Sequence, residues 1–570
     1  MARERKANRV LIIGAGPVGL EAAVLCVKAS LAVVVVERGD TVASNVLRWG
    51  HRQLFSMNAM NTSPQGLAAL DELGRAPPAQ RAFPTGRLLH EQYLEPLSRW
   101  LQEQPDVFEL RLNTTVISIR RDLPPLHQQH EGETDARVRS NAPFAALVAS
   151  TADDDDEQVL TNFTAVLDCS GTYGHANYMG VGGVPAIGER ALRRQALSSV
   201  AASASAASAP RSFFFDGLPD PFDLDSASFL PPASQRRVSI AVVGGGYGAA
   251  ATLCAILDLA ASRDHLYEFD VHWLLRRPTS AGSPFDAALE VRADEPGRKY
   301  LARRAASFAS HASGGGGGGR STRLATGVAG VPYITVHRGV RIECVEREKS
   351  DGRMDGRIVL TGTCEAPAAV ENASVLTKPP SLAAEREPFE LVVNTLVSQC
   401  GYRPDTSLVT ELRATSFHEG VEGGAAMGVV PPDNSMGWLE RLATPEALFF
   451  VLGAKSLGRD GSFSLAMGIQ QVGDVVGAIV HSLRTRSDEA EPELESEQRE
   501  PEPEQAAGDE AEAEHVGQVA GDEAEAEHVG QVSGDEVEEA GAPGGAGHEE
   551  EGDQAEIQPG LQPGLQPGRP

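Results

Sequence analysis

Apolar strands and apolar helices alternate near the start of the chain, with a glycine-containing turn between strand and helix. The pattern predicts a strand at 10–13, a helix at 18–29 and a β-branched strand at 31–36. Strands that are apolar on both faces are typical of a parallel sheet covered by helices on both sides. This part of the chain therefore predicts a doubly wound α/β unit.

The first turn carries glycine at three spaced positions, Gly14, Gly16 and Gly19. In a dinucleotide-binding turn the first glycine permits the tight bend, the second lets the backbone approach a pyrophosphate, and the third lets helix pack on strand. Glu37 ends the next strand, where an acid accepts hydrogen bonds from an adenosine ribose. Because strand, helix and acid all agree, the segment predicts dinucleotide binding rather than a purely structural turn.

The same alternation restarts in the middle of the chain, with a strand at 238–243, a helix at 249–260 and a strand at 271–275. The turn fits G-x-G-x-x-A through Gly244, Gly246 and Ala249. A second nucleotide-binding unit is therefore predicted. The expected fold class is α/β, with two Rossmann-like, three-layer dinucleotide-binding domains.

Arg276 and Arg277 follow the second strand of this second unit, where an acid would otherwise hold a ribose hydroxyl. Guanidinium groups at that place suit the 2′-phosphate of NADP. The plainer alternative is that at least one of the two arginines belongs to a solvated strand end. The sequence favours NADPH over NADH as the nicotinamide cofactor.

The paired units resemble two-dinucleotide-binding-domain FAD/NAD(P)H flavoproteins, closest to flavin-dependent N-hydroxylating (class B-like) monooxygenases. Segment 165–172 looks like their strand-to-ATG segment, and 399–405 looks like their ATGYxPD linker with Gln-Cys in place of Ala-Thr. Segment 448–480 resembles the terminal element whose helix start approaches the flavin pyrimidine. The resemblance implies FAD in the first unit, NADPH in the second, and an NAD(P) domain inserted into the FAD domain.

The resulting domain prediction places the FAD-binding domain at 8–235 and 391–486, with the NAD(P)-binding domain at 236–390 between its two parts. Low composition complexity marks further segments that bury too little apolar surface to offset their ordering entropy. These are insertions at 121–157 and 198–210, a glycine-rich loop at 314–319 and a disordered, acidic, repetitive tail at 487–570.

Site residues follow from the motifs and from the resemblance. Lys455 and Arg459 are candidate catalytic residues, because cations beside the helix start could stabilise anionic reduced flavin, although ordinary loop charge is the alternative. His51 is a third candidate catalytic residue and, with Gln53 and Asn58, a candidate for flavin or substrate contact, the alternative being a solvated or backbone-bonded histidine. The expected cofactor-binding residues are Gly14, Gly16, Gly19, Glu37, Arg38, Gly171, Gly453, Gly244, Gly246, Ala249, Arg276 and Arg277.

Charge and cysteine content narrow the classes of partner and of metal or redox site that the chain is expected to have. From residue 487 onward there are 26 acidic residues against two arginines, out of a formal net charge of −29, so the body is nearly neutral. A cationic surface for nucleic acid or anionic lipid is therefore disfavoured. The six cysteines are scattered, which argues against a disulfide scaffold, a zinc site and a dithiol redox centre, and no metal is predicted. No apolar run approaches the length of a membrane-spanning helix.

The sequence therefore predicts an FAD-dependent, NADPH-using oxidoreductase, a monooxygenase that hydroxylates a small molecule through a flavin hydroperoxide. One departure from the family is Gly453-Ala454, where a Gly-Asp pair commonly holds the flavin ribityl chain. An NAD(P)H-dependent reductase or oxidase is an open alternative, and so is a catalytically silent flavoprotein-derived binding protein. A cytoplasmic location is expected, with the tail available to contact another protein.

Overall fold

The computed structural model describes the protein over much of one compact unit, Met1–Gln498. The described residues are 8–122, 142–151, 156–203, 214–216, 236–263, 267–277, 301, 303–304, 321–328, 331–350, 353–365, 386–410, 412, 446–458 and 463–497.

The strands of the described part fall into four sheets. In chain order they are β1 (Arg9–Ile13), β2 (Ala32–Val36), β3 (Phe108–Arg111), β4 (Thr114–Arg121), β5 (Phe144–Ser150), β6 (Glu157–Phe163), β7 (Ala165–Asp168), β8 (Phe214–Asp216), β9 (Arg237–Val243), β10 (Glu268–Leu274), β11 (Ser321–Val328), β12 (Val331–His337), β13 (Arg341–Ser350), β14 (Arg353–Glu365), β15 (Arg386–Val393), β16 (Thr395–Ser398) and β17 (Phe449–Val451).

The helices of the described part lie between these strands and at the C-terminal side of them. They are α1 (Pro17–Lys28), α2 (Ser44–Arg48), α3 (Asn58–Asn61), α4 (Pro64–Glu72), α5 (Gly86–Leu89), α6 (Glu95–Gln102), α7 (Glu189–Ser203), α8 (Tyr247–Arg263) and α9 (Leu465–Glu497), and a π-helical turn, His90–Leu94, joins α5 to α6. None of the described helices is long and apolar enough to span a bilayer.

The sheet of the first predicted nucleotide-binding unit, which we call the first nucleotide sheet, is wholly parallel, in the order β17-β7-β1-β2-β3. Its central strands are buried on both faces, as their apolar sequence predicts. Helix α1 begins at Pro17, whose ring presets the helical φ and whose missing N–H costs nothing in the first turn. Helices α1 and α9 contact each other, so the C-terminal helix belongs to the first domain.

The sheet of the second predicted nucleotide-binding unit, called the second nucleotide sheet, has the order β11-β12-β10-β9-β16-β8. All its neighbours pair in parallel except β11, which runs antiparallel to β12. An antiparallel sheet, β13-β14-β15, shares a hydrophobic core with this parallel sheet. The fourth sheet, β4-β5-β6, is also antiparallel. The parallel sheet β17-β7-β1-β2-β3 and the parallel strands β12-β10-β9-β16-β8 of the second sheet confirm the prediction of two Rossmann-like units.

Two short strands correct the predicted domain limits. β8 lies within the stretch assigned to the first FAD segment, 8–235, and β16 lies within the return segment, 391–486, yet both pair in the second nucleotide sheet. The limits 236–390 are therefore wrong for these strands. Runs of three or four residues carry no periodicity that indicates which sheet they join.

The predicted insertion at 121–157 is wrong for β5, which pairs with both β4 and β6. Phe144 is completely buried, and Arg121 is buried with its guanidinium over the Phe144 ring. The apolar run of β5 stands between two polar stretches, which hid it in the composition. Residues 123–141 and 152–155 lie outside the described residues.

Other composition-based segments fall mostly outside the described residues. The backbone of α7 is helical through Ser203, inside the predicted insertion at 198–210, and the rest of that segment is not among the described residues. The predicted glycine-rich loop at 314–319 also lies outside the described residues. Helix α9 continues to Glu497, past the predicted start of the tail at 487, and 498–570 lie outside the described residues.

Candidate dinucleotide sites

The first glycine turn joins β1 to α1, and each of its glycines has a distinct surrounding. Gly14 has φ +94°, a left-handed conformation that L side chains rarely adopt. A Cβ on Gly19 would lie 1.9 Å from the carbonyl oxygen of Gly14, so only glycine lets the helix pack here. A Cβ on Gly16 would meet nothing within 4 Å. The turn is therefore closed on its protein side and open beside Gly16.

The N-terminus of α1 opens onto the same space. Gly16 is its N-cap residue, no side chain caps it, and its first turn holds no acidic residue in this described segment. Uncapped amides at a helix start, together with the positive end of the helix dipole, bind an anion. The arrangement suits a pyrophosphate.

Glu37 is 8% exposed and holds the turn through both carboxylate oxygens. Its Oε2 accepts from the Ala15 amide at 2.8 Å, and its Oε1 accepts from the Gly39 amide at 2.8 Å and from the Ser44 hydroxyl at 3.2 Å. A carboxylate has about four lone-pair positions, so capacity for a ribose hydroxyl remains. Its ribose contact stays a prediction. Arg38 is exposed, and its Nη2 lies 3.3 Å from the place a Cβ on Gly174 would occupy.

Lys455 is completely buried at the carboxyl ends of β7 and β17. Its ammonium group donates to Asp168 Oδ2 at 2.5 Å and to Ser170 Oγ at 3.1 Å. The Ser170 hydroxyl in turn donates to Asp168 Oδ1 at 2.6 Å. The lysine charge is therefore compensated by a buried carboxylate, which sequence reasoning did not assign to the site. Its predicted catalytic role stays a prediction.

Four further residues were predicted for the first site: Gly171, Gly453, His51 and Arg459. Gly171 has φ +69° and open space beside it, whereas Gly453 has φ +74° and a Cβ on it would lie 3.3 Å from Val18 Cγ2. The amide of Gly453 donates to Gln471 on α9 at 2.8 Å. His51 is half-buried. Arg459 lies outside the described residues.

Two further candidates of the first unit make structural hydrogen bonds. The Asn58 side chain is buried and donates to the carbonyl oxygen of Ala79 at 2.9 Å. Gln53 Nε2 donates to the carbonyl oxygen of Phe83 at 3.1 Å. Both amides therefore hold the chain that follows α2, and their predicted flavin or substrate contacts stay predictions.

The second glycine turn joins β9 to α8 and repeats the arrangement of the first. Gly244 has φ +130°, and a Cβ there would lie 2.2 Å from the carbonyl oxygen of Gln399. A Cβ on Gly246 would again meet nothing within 4 Å. Ala249 is completely buried where the helix packs on the sheet. Both turns thus have the same closed first glycine and the same open middle glycine.

Arg276 and Arg277 are exposed directly after β10, at the carboxyl edge of the second nucleotide sheet. The chain that follows β12 runs beside them, because the Gly339 amide donates to the carbonyl oxygen of Arg277 at 3.0 Å. Arg338 is therefore brought to the same edge. Sequence reasoning missed it because more than 60 residues separate it from the pair, and only the pairing of β10 with β12 reveals the proximity.

A buried carboxylate on α1 is a further feature that sequence reasoning missed. Glu21 is 4% exposed and accepts from the Tyr93 hydroxyl at 2.5 Å and from the Ser63 hydroxyl at 2.6 Å. Tyr93 lies on the π-helical turn, and a Cβ on Gly66 would come within 2.0 Å of its hydroxyl oxygen. A glutamate inside the apolar helix pattern was the signal that could have revealed this cluster.

Burial raises the pKa of Glu21 above its ordinary value of 4.5, while hydrogen bonds from Ser63 and Tyr93 act in the opposite direction. The folded protein therefore holds the proton at a pH where the unfolded chain has lost it. This contribution to stability is complete below about pH 4.5 and disappears as the pH rises through the folded-state pKa. We expect Glu21→Gln to gain stability relative to the unmutated protein as the pH is raised.

Urea unfolding of both proteins at several values between about pH 4 and about pH 8 measures this difference. Glu72→Gln is a suitable control, because Glu72 is an exposed acid on α4 whose pKa is lowered by hydrogen bonds from Lys28 and Trp100. Its pH dependence should have the opposite sign. Parallel stability curves for Glu21→Gln and the unmutated protein would rule out a raised pKa.

Comparisons with known proteins gave structural neighbours only. No family model matches the chain, and no curated protein matches it in sequence. Bacillithiol disulfide reductase Bdr from Bacillus cereus has a TM-score of 0.48 and 13% sequence identity, over 84% of this chain and 100% of that chain. The FAD-bound cadaverine monooxygenase DfoA from Erwinia amylovora has a TM-score of 0.44 and 13% identity, over 84% and 95% of the two chains.

Thioredoxin reductase from Lactococcus lactis has a TM-score of 0.40 and 14% identity, over 83% of this chain and 99% of that chain. These three proteins differ in their reactions, since two are reductases and one is a monooxygenase. The two Rossmann-like units predicted from the motifs are present in this chain, each with a glycine turn between a sheet strand and a helix.

Proposed function

We propose that the chain is an FAD-dependent, NADPH-using oxidoreductase that hydroxylates a small molecule. One observation carries the binding of two dinucleotides: both glycine turns leave open space beside their middle glycine, at Gly16 and at Gly246. Hydroxylation is proposed from the resemblance of segment 399–405 to the linker of the N-hydroxylating monooxygenases. A turn kept only for packing has no need of that space. Two open turns in one chain support two bound dinucleotides.

In the first site, the start of α1 would hold the FAD pyrophosphate, and Glu37 would fix the turn through the Ala15 amide while it accepts from the ribose. In the second site, the start of α8 would hold the NADPH pyrophosphate. A flavin held in the first site would supply the redox chemistry, since a flavin can accept a hydride from reduced nicotinamide and pass the electrons to an acceptor such as oxygen. The role of the protein is to position the two cofactors and to control access to them.

An absorbance spectrum of the purified protein, followed by anaerobic NADPH addition, tests the proposal. We expect flavin bands that bleach on addition of NADPH. Admission of air with candidate small molecules then separates the outcomes, because only a hydroxylase couples NADPH consumption to a hydroxylated product, whereas an oxidase passes the electrons to oxygen alone and a reductase to another acceptor. Protein that shows no flavin after reconstitution with FAD would contradict the proposal.

The cofactor preference gives a second prediction. A charge-assisted hydrogen bond contributes about 1.5–3 kcal/mol, so guanidinium contacts to a 2′-phosphate favour NADPH roughly tenfold to a hundredfold. NADPH should therefore reduce the flavin at lower concentration than NADH. We expect Arg276→Ala combined with Arg277→Ala to remove most of that preference by weakening NADPH binding, with NADH use and FAD content retained.

Titration of flavin reduction with each nucleotide measures the preference, and Arg120→Ala on β4 is the matched control. Arg120 pairs with Asp122 at 2.9 Å on the other domain, so its loss should leave the NADPH to NADH ratio unchanged. Equal apparent affinities for NADH and NADPH in the unmutated protein would show that the arginines do not recognise the phosphate.

A further inference from the structure

The chain after β7 and the chain after β16 run side by side, and we call residues 171–179 and 399–405 the interdomain seam. Ala176 lies opposite Tyr402 in an antiparallel bridge. The Asn177 amide donates to the carbonyl oxygen of Gly401 at 2.8 Å, and the Arg403 amide donates to that of His175 at 2.9 Å. The seam therefore joins a segment that leaves the first nucleotide sheet to one that leaves the second.

Each of the two seam segments begins at or shortly after a residue that contacts a glycine turn. Cys169, which follows β7, donates its amide to Ile13 at 3.0 Å, and its carbonyl oxygen lies 3.0 Å from the place a Cβ on Gly14 would occupy. Gln399, which follows β16, closes the second turn at Gly244 with its carbonyl oxygen. The seam therefore links the two glycine turns, and its hydrogen bonds help to fix the position of one predicted nucleotide site relative to the other.

Asn177 fastens the seam with its side chain. Its Nδ2 donates to the carbonyl oxygens of Cys400 at 3.1 Å and of Tyr402 at 3.2 Å. These carbonyls flank Gly401, which has φ +78°, so the two bonds hold the chain on either side of a left-handed residue. Arg193 on α7 supports Asn177 from behind by donating to its carbonyl oxygen at 2.8 Å. Both N–H groups of the Asn177 side chain therefore bind the 399–405 segment of the seam.

We propose that Asn177 is a positioning residue for hydride transfer between the two cofactors, an inference that rests on the proposed function. Its amide sets the register between the segment that closes the first glycine turn and the segment that closes the second. Reacting atoms must approach to about 3–3.5 Å, and a displacement of about 1 Å can lower a rate about a hundredfold. A residue remote from the reacting atoms can therefore control the rate.

The test compares Asn177→Ala and Asn177→Asp. Alanine removes both donors, whereas aspartate keeps the shape of asparagine but places acceptor oxygens against two carbonyl oxygens. Gln102→Ala is the control, because Gln102 is an exposed amide on α6 whose hydrogen bonds within the described residues go to Ser98, four positions earlier. If aspartate prevents folding, the alanine variant alone decides the outcome.

Three quantities are measured on the FAD-loaded protein: the affinity for FAD, the affinity for NADP⁺, and the rate constant for anaerobic flavin reduction at saturating NADPH. We expect the rate constant to fall about tenfold to a hundredfold in both variants, with both affinities nearly unchanged. The Gln102→Ala protein should match the unmutated protein in all three.

Amide hydrogen exchange in the FAD-loaded protein without NADPH gives a readout that does not depend on turnover. The Asn177 and Arg403 amides are both hydrogen-bonded within the seam, so they should exchange faster in the Asn177 variants while the amides of β1 and β9 keep their protection. Faster exchange throughout the protein would instead indicate general destabilisation and would count against the inference.

An unchanged reduction rate in Asn177→Ala would overturn the inference and leave the proposed function intact. A rate that falls only in step with the two affinities would also overturn it, because that result describes a structural role. Unmutated protein that binds neither nucleotide would overturn the proposed function and this inference together.

Discussion

Replacement of Gly16 by valine should leave a folded protein that no longer retains FAD. A Cβ on Gly16 meets no protein atom within 4 Å, and the residue has φ −74° and ψ −177°, which valine adopts without strain. The new side chain would fill the space that the pyrophosphate needs beside the start of α1. The pyrophosphate would then lose charge-assisted hydrogen bonds from the amides at this helix start, and the loss of two such bonds lowers affinity about a hundredfold or more.

Equilibrium dialysis with FAD, together with circular dichroism, measures affinity and folding separately. Gly473→Val is the matched control, since a Cβ at that exposed position of α9 also meets nothing within 4 Å and lies away from the turn. Gly19→Val provides the opposite case, because its Cβ would lie 1.9 Å from Gly14 and should disrupt the first domain itself. Full flavin content in Gly16→Val would refute the assignment of the turn.

Replacement of Lys455 by methionine should destabilise the first domain by about 3–5 kcal/mol, because it leaves the buried Asp168 carboxylate without its cation. Both side chains are 0–1% exposed, and Asp168 has Ser170 as its remaining side-chain partner in the described part of the chain. Addition of Asp168→Leu should restore most of the loss, since a buried pair of apolar residues needs no charge compensation.

Urea unfolding followed by circular dichroism measures the single and double variants in the absence of cofactors. Lys28→Met is the control, because Lys28 pairs with Glu72 at the surface and exposed pairs contribute only about 0–1 kcal/mol. If Lys455→Met is as stable as Lys28→Met, the buried pair does not support the fold. A catalytic role for Lys455 would then be the better explanation of its position.

The elements that the sequence predicted well are those with long, uninterrupted patterns. Strand β1, helix α1 and strand β9 each lie within a few residues of their predicted bounds, because apolar runs bounded by glycine leave little choice. Both glycine turns followed in the same way, since Gly14 and Gly244 have a positive φ and Gly19 is in close contact with Gly14, whereas Gly16 and Gly246 have open space beside them. Pattern therefore sufficed wherever the structure is decided locally.

The features that the sequence did not predict depend on residues far apart in the chain. Asp168 was visible as part of a strand, but its pairing with Lys455 spans 287 positions. Arg338 reaches the edge occupied by Arg276 and Arg277 only because β12 pairs with β10. The hydrogen bonds of Asn177 to the segment after β16 likewise require the folded chain. Composition alone could not reveal any of these.

The place of β17 in the first sheet has a consequence for synthesis of the protein. Residues Phe449–Val451 pair with β7, so one edge of the first sheet stays uncovered until almost the whole folded chain has left the ribosome. An apolar strand with an open edge readily pairs with another chain. Nascent chains that stall before β17 should therefore aggregate through β7, and chaperone demand should be greatest during translation of the second domain.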